Sequence, residues 1–336
     1  MIVTTAMFRA VKRSYPRCRL TVIGNAINRR VLEGNPDVDE YIVWEDVPHI
    51  IEKLKNNTYD FGCVTVVNFH SLAALYLAGI KTIVAPVIRD GWSPYETRPY
   101  KIIRNFVIPK DHHMRQYVPR EYLRLLEPIG IYTEDTKKYI YWTPTAERKA
   151  KEIVSSPRRQ YALRIGIMSG AGNTVKQWEP KKFSQVADYL VEQYNAHIFS
   201  IGSELNRKEN DEMIAHMRHS DCVTDTLGTS VDEVKALVSL MDLTVSVDTG
   251  PIFIAEASGV PTIDITGAID VHEMAPRGEY HLVVPAKDGE PQIWTMNATV
   301  YDHVEARRQI DSISVQMVVE AVDILIAKIE KKRLHA

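Results

Sequence analysis

Apolar residues in this chain fall into short β-branched runs separated by stretches of helical period, and the alternation is kept from end to end. After an amphipathic opening helix at residues 6–13, the first half predicts strands at 18–23, 41–44, 61–67 and 81–85. Helices are predicted over 26–33, 47–55 and 70–78. Gly34-Asn35-Pro36 and Gly79 supply helix stops. Strands alternating with helices over short connections predict a parallel sheet with right-handed crossovers. The alternation then breaks between Pro86 and His113, where a long basic and aromatic loop is expected. A helix over 117–126 and a charged one over 146–154 follow.

The second half repeats the plan more cleanly. Strands are predicted at 163–168, 196–201, 222–223, 243–247 and 260–265, with helices starting after Pro180 and over 206–217 and 231–241. Ser230 followed by Glu233 reads as a capping box. A long helix over 312–331 closes the chain, and its Lys-Lys-Arg ending reads as charge favourable to a helix C-terminus rather than as a binding patch. The polar stretch Ser155-Ser156-Pro157-Arg158-Arg159-Gln160 marks a domain boundary. The expected units are 1–155, 161–310 and a C-terminal helix, 311–336, packed back across the molecule.

At 336 residues, 45% of them hydrophobic, the chain suits about two globular α/β domains. Basic and acidic residues nearly cancel, 41 against 43, which removes any global attraction to nucleic acid and leaves at most peripheral contact with a membrane. No run approaches ~18 apolar residues, and the N-terminus does not resemble a signal peptide, so a cytoplasmic location is expected, at most peripheral to the inner membrane face. Cys18, Cys63 and Cys222 stand far apart in predicted strands and read as buried, unpaired thiols. His112 and His113 have no metal-ligand spacing partner and read as solvent-facing, so no metal is expected.

The candidate chemistry lies where predicted strands end. Leu243 to Val247 stops at Asp248-Thr249-Gly250-Pro251, a sharp strand-to-helix turn whose free N–H groups suit a phosphate, though the same turn also serves as ordinary α/β scaffold. Ser169, Gly170, Ala171 and Gly172 follow the strand at 163–168; they match neither a dinucleotide fingerprint nor a P-loop, but let a ligand approach the backbone. Lys176 comes next, either a mobile charge for that ligand or a solvated surface side chain. Glu204, just past the strand at 196–201, suits a ribose hydroxyl or a helix start. In the broken stretch, Arg89, Trp92, Arg98 and Lys101 could meet a charged saccharide acceptor; a loop that merely covers the sheet edge is the alternative.

Several of these segments carry a resemblance. Lys176-Gln177-Trp178-Glu179-Pro180, the Ile201-Gly202-Ser203-Glu204 turn, Gly228-Thr229-Ser230 and Val247-Asp248-Thr249-Gly250-Pro251 resemble, in order and spacing, the ADP-heptose:lipopolysaccharide heptosyltransferases, glycosyltransferase family nine. Thr4-Thr5-Ala6 to Tyr15-Pro16 and Leu32-Glu33-Gly34-Asn35-Pro36 resemble its N-terminal half, so the likeness spans nearly the whole chain. It implies a GT-B fold, two Rossmann-like doubly wound domains facing a cleft, and metal-free inverting transfer from a nucleotide-sugar to a saccharide or glycolipid acceptor with no cofactor. Lys176 would meet the donor phosphates and Glu204 the ribose. Asp248, Thr249, Gly250 and Pro251 would hold the sugar and diphosphate, with residues 169–172 lining the same site.

The chain also departs from that family. Similar proteins begin with a buried strand and a Gly-Asp turn just before the Thr-Thr segment, and that Asp is the usual candidate base; it would lie immediately upstream of Met1, so no catalytic residue is assigned. Truncation of the start is the expectation, because leaving out a central strand exposes two sheet edges. Phe253 stands where the family has His, and Thr266-Gly267-Ala268 replaces its Phe-Gly-Pro-Thr. A nucleotide-sugar epimerase and a silent sugar-nucleotide-binding or scaffold protein are the rival readings.

Overall fold

Residues 1–334 are described in the computed structural model, and every ladder between its strands is parallel. The N-terminal half carries β1 (Thr21–Gly24), β2 (Glu40–Val43), β3 (Phe61–Cys63), β4 (Thr82–Arg89) and β5 (Ile108–His113). The C-terminal half carries β6 (Leu163–Met168), β7 (Ala196–Ser200), β8 (Val223–Asp225), β9 (Leu243–Val247), β10 (Thr262–Thr266) and β11 (His281–Pro285).

The second sheet has the order β11-β10-β9-β6-β7-β8. The chain runs outward from β6 to β7 and β8, then returns to place β9 on the other side of β6. This reversal opens a crevice beyond the C-terminal ends of β6 and β9. Strand alternation sorts the residues of β9 and β10 into two faces. Leu243, Val245, Val247, Ile263 and Ile265 join one core with Trp178, Phe183 and Leu190 and with Val318, Val322 and Leu325 of the last helix, Val315–Leu334. Thr244, Ser246, Thr262, Asp264 and Thr266 point the other way and are also buried, beneath the Gly250–Ala257 helix. The capping box forms: Ser230 Oγ accepts from the Glu233 amide at 3.2 Å, and Glu233 Oε2 accepts from the Ser230 amide at 2.7 Å.

In the N-terminal half the strands form two separate pieces, β1-β2 and β3-β4-β5. Between β1 and β3 lies a cavity of about 1740 Å³, lined by Val22, Ile23, Phe61, Cys63, Leu75 and Leu126 among others. Both strands turn an edge without a ladder partner toward it, and of the expected strand at 61–67 only Phe61–Cys63 pairs, against β4. Met1 lies at the rim of this slot.

The expected loop between Pro86 and His113 is overturned. β4 runs on through Pro86 to Arg89 against β5, and the Arg98–Arg104 helix lies between the two strands in sequence. Pro86 is tolerated because β3 has already ended at that level, so the missing N–H leaves no acceptor of β3 unpaired. Tyr100 of that helix is wholly buried and donates its hydroxyl to the Pro86 carbonyl at 2.9 Å. His112 is buried as well, contrary to expectation. It packs on Tyr122 with ring centroids 6.4 Å apart, and burial pushes its pKa down to about 4. His113 is half-buried, its Nδ1 2.6 Å from Asp90.

Of the three thiols only Cys63 lies in a strand: Cys18 precedes β1, and Cys222 ends a single 3₁₀ turn, Ser220–Cys222, before β8. Cys18 and Cys63 are half-buried rather than buried, and all three are free. The closing helix expected over 312–331 forms as Val315–Leu334, while the His303–Ser312 helix before it and β11 were not anticipated. No described helix is long and apolar enough to cross a membrane.

The halves are joined through buried polar contacts as well as a shared apolar core that includes Leu123 and Leu126 together with Ile252 and Ile254. Lys235 is wholly buried, 2.9 Å from Asp232, and donates to the carbonyls of Arg30, Val31 and Glu33 at the end of the Ala26–Leu32 helix. A cation there meets the negative end of the helix dipole. Thr143 donates its hydroxyl to Asp232 at 2.7 Å, and Lys138 pairs with Glu256 at 2.7 Å.

Candidate functional site at the strand reversal

Two loops meet at the crevice between β6 and β9. β9 is buried along its length and stops at Asp248 and Thr249, after which Pro251 sits in the first turn of the Gly250–Ala257 helix, where its lack of an N–H costs nothing. Thr249 is the N-cap in extended conformation, and its side chain does not cap the helix. The first-turn amides therefore keep their dipole free for an anion. No atom comes within 4 Å of the point where a Cβ would project from Gly250 or from Gly172, so both face open space.

The loop after β6 starts with Ser169, which is buried, and Gly170, whose missing Cβ is filled by the Asn206 side chain. Any side chain at Gly170 would collide with Asn206, some 2.3–2.5 Å away. Ala171 is buried and its carbonyl accepts from Gln177 at 3.3 Å. A short 3₁₀ turn, Thr174–Lys176, then carries Lys176 across the crevice, where its Nζ donates to Asp248 Oδ2 at 2.6 Å. Residues 72 positions apart are thus brought together by strand order, and the pair sits where β6 and β9 diverge. The loop around Lys176 is tied down by Arg307, which donates to the Gln177 carbonyl at 2.7 Å, and by Trp178. Its indole is wholly buried, stands edge-on to Phe183 at 5.0 Å and donates to the Ile313 carbonyl at 2.9 Å.

Glu204 lies on the same side of the sheet, past β7, at the start of the 3₁₀ turn Glu204–Asn206. It accepts from Arg207 at 2.8 Å, and this hydrogen bond keeps its carboxyl below the ordinary range. Arg207 also binds Asp225 at the end of β8. Glu204 Oε1 approaches Gly228, which has a φ of +85° that favours glycine. Glu204 therefore lines the rim beside the crevice, exposed and fixed by its arginine.

Beneath the Asp248 turn lies a buried group of acids that sequence reasoning passed over. Asp264, in the middle of β10, is wholly buried and neither of its oxygens has a hydrogen-bond partner. Burial raises its carboxyl well above the usual range, the charges of Asp248 and Glu256 add to this, and Lys176 opposes it. Glu256, in the last turn of the Gly250–Ala257 helix, accepts from Lys138 at 2.7 Å and from the Arg277 amide at 3.2 Å. Lys138 also donates to the Tyr117 hydroxyl at 2.8 Å. The one trace of Asp264 in the sequence is a charged residue inside Thr-Ile-Asp-Ile-Thr, which strand alternation assigns to a polar face.

The four residues considered for an acceptor do not converge in the same way. Arg89 ends β4 and pairs with Asp111 at 2.8 Å, and Lys101 lies 3.6 Å from Glu96 on the Arg98–Arg104 helix. Trp92 is 56% exposed on the connection after β4, and Arg98 opens the helix, also exposed. That connection reaches the other half through Tyr95, whose hydroxyl donates to Thr299 at 2.9 Å. Phe253 is buried in the shared core, so it packs as an apolar residue and offers a donor no hydrogen bond.

Comparison with known proteins extends this picture. The model of Glycosyltransferase family 9 (heptosyltransferase) matches residues 47–293. Lipopolysaccharide heptosyltransferase 3 of Escherichia coli K12 is 24% identical over 286 residues, 80% of each chain. The lipopolysaccharide core heptosyltransferase OpsX of Haemophilus influenzae is 21% identical over 271 residues, 77% of this chain and 73% of that one. A solved structure of ADP-heptose lps heptosyltransferase II from E. coli superposes with a TM-score of 0.78 at 18% identity, covering 98% of this chain and 96% of that one. The family 9 glycosyltransferase of Veillonella parvula gives 0.79 at 17% identity, with 97% and 94% covered. The fold is the GT-B arrangement of two Rossmann-like units.

Proposed function

The chain belongs to glycosyltransferase family 9, the heptosyltransferases, and from that premise we propose that it transfers a sugar from an ADP-heptose-like donor to a saccharide or lipopolysaccharide-type acceptor. The observation that carries the donor assignment is the Lys176–Asp248 pair at the reversal of the sheet, the place where open α/β sheets bind nucleotides. A diphosphate placed there would meet the Lys176 ammonium and the amides of Thr249 and Gly250, with residues 169–172 and Pro251 forming the walls. Glu204 would accept from the ribose hydroxyls.

We infer an inverting, metal-independent reaction. The acceptor hydroxyl attacks the anomeric carbon from the side opposite the diphosphate, the C–O bond to the diphosphate breaks, and the hydroxyl proton passes to a base. Charge builds on the leaving phosphate oxygen, and a cation with helix-end amides aimed at that oxygen stabilises the transition state more than the ground state. A peripheral position at the inner face of a membrane would bring a lipid-linked acceptor within reach.

The reading is tested by ADP binding, measured calorimetrically and as a rise in melting temperature. Lys176→Ala removes one charge-assisted contact worth about 1.5–3 kcal/mol, so affinity should fall about 10- to 150-fold. If the variant binds ADP as the wild type does, the crevice is not the donor site. ADP binding through Lys176 with no transfer to any lipopolysaccharide-core acceptor would instead point to a silent binding protein.

A further inference from the structure

The acids under the Asp248 turn are short of cations. The ladder sets Asp264 opposite Ser246 and Ile265 opposite Val247, and Asp248 follows directly where β9 ends. The charged groups facing Asp264 are Asp248, Lys176 from the β6 loop and Glu256 from the covering helix. Glu256 is already matched with Lys138 at 2.7 Å. On the neighbouring strands, the Ser246 hydroxyl is turned to the Val247 carbonyl at 2.7 Å, and the half-buried His281 ring of β11, held below its usual pKa, is 3.0 Å from Thr262 Oγ1. Lys176 is therefore the cation left for two carboxyls, and it binds only one oxygen, Asp248 Oδ2. Asp248 Oδ1 and both oxygens of Asp264 are buried without partners.

We propose that Asp264 is a positioning residue of the donor site: its protonated carboxyl donates a hydrogen bond to Asp248 in place of Lys176 when Lys176 turns to a bound nucleoside diphosphate. The inference rests on the donor-site reading above. Burial, with the charge of Asp248 nearby, holds the Asp264 carboxyl well above the usual range, so its proton is already present when the donor arrives. Lys176 then exchanges a carboxylate for a phosphate without stranding a bare buried anion, which would cost several kcal/mol. At alkaline pH Asp264 has lost its proton, and binding must either draw one from solution or leave the Asp264 carboxylate beside Asp248. The sign follows: the protein with Asp264 protonated binds the donor more tightly, and affinity is lost as pH rises through the titration of Asp264.

The experiment is calorimetric titration of the full chain with ADP at pH 7 and pH 9, in buffers of different ionisation heat. Wild type should lose affinity on the order of tenfold, which corresponds to one pKa unit of coupling, with proton uptake on binding at the higher pH. In Asp264→Asn, and in Asp264→Thr, which matches its strand neighbours Thr262 and Thr266, the fall between the two pH values should shrink below about twofold whatever the affinity at pH 7. Wild type at pH 7 should also show the infrared C=O band of a protonated carboxylic acid that both variants lack. If the variants keep the wild-type pH profile while Lys176→Ala abolishes binding, the role of Asp264 is wrong and the donor site stands. If ADP does not bind, or binds without need of Lys176, both readings fall.

Discussion

Trp178 supplies the sharpest link between packing and the site. Its indole fills the space between Phe183 and the start of the last helix, and its N–H closes on the carbonyl of Ile313, the residue just after the His303–Ser312 helix. Trp178→Ala removes a wholly buried ring, which costs about 3–5 kcal/mol where surroundings cannot collapse. Unfolding entropy of about 2.1 cal/mol/K per residue, taken over 336 residues melting as one unit, turns this into a fall in Tm of about 4–7 °C. Trp178→Phe should be much milder. The Ile313 carbonyl keeps the Lys182 ammonium at 3.0 Å, so losing the indole N–H strands no acceptor and costs about 1 kcal/mol besides the smaller cavity. Because Lys176 is two residues away on the same loop, the alanine variant should also bind ADP several-fold more weakly, whereas the phenylalanine variant should retain most of its affinity. Differential scanning calorimetry and ADP titration on the three proteins check this. An alanine variant that melts within about 1 °C of wild type would refute the anchoring argument.

Two further outcomes concern the rest of the chain. Burial holds His112, His197 and His281 neutral with pKa values of about 4, against about 6.5 for an unfolded imidazole, so the unfolded chain binds more protons below pH 6.5. Stability should be fully present above pH 6.5 and fall toward pH 4, each histidine adding at most about 1.4 kcal/mol per pH unit; a melting temperature flat across that window would overturn this, and His112→Phe should flatten the slope. In the N-terminal half, an apolar five-residue strand fused ahead of Met1 through a two-residue turn is expected to enter the slot between β1 and β3 and raise Tm by several degrees, while an all-Lys/Glu extension of equal length should not; equal melting of the two fusions would show that the slot does not accept a strand.

What could be read from residue pattern, and what could not, divides along the range of the forces involved. The strand Leu163–Met168 and the helix that begins at Pro180 were placed to the residue, because an unbroken β-branched run and a proline at the first helical position are local signals. The Ser230 cap formed for the same reason. Pro86 misled because a local rule says that proline ends a strand; the rule lapses where the neighbouring strand has already stopped, and that depends on where β3 ends rather than on residues near Pro86. His112, in a polar Lys-Asp-His-His run, is buried by Tyr122 from a later helix. β11 is a strand because β10 offers it an edge.

The site shows the same division. Lys176, Glu204 and Asp248 could each be found because each follows a strand end, and strand ends at one side of a parallel sheet are neighbours. Asp264 could not be found that way. Thr-Ile-Asp-Ile-Thr reads as a strand with one apolar face and one wet face, and on that pattern its aspartate belongs in water. The Gly250–Ala257 helix instead lays Ile252 and Phe253 into the shared core on that side and closes the polar face from solvent. A carboxyl that alternation assigns to the surface is thereby enclosed beside the Lys176–Asp248 pair, with no cation of its own. Its charge depends on three segments that are remote in sequence, the β6 loop, the turn after β9 and the middle of β10, and it bears on the very contact a diphosphate would have to break.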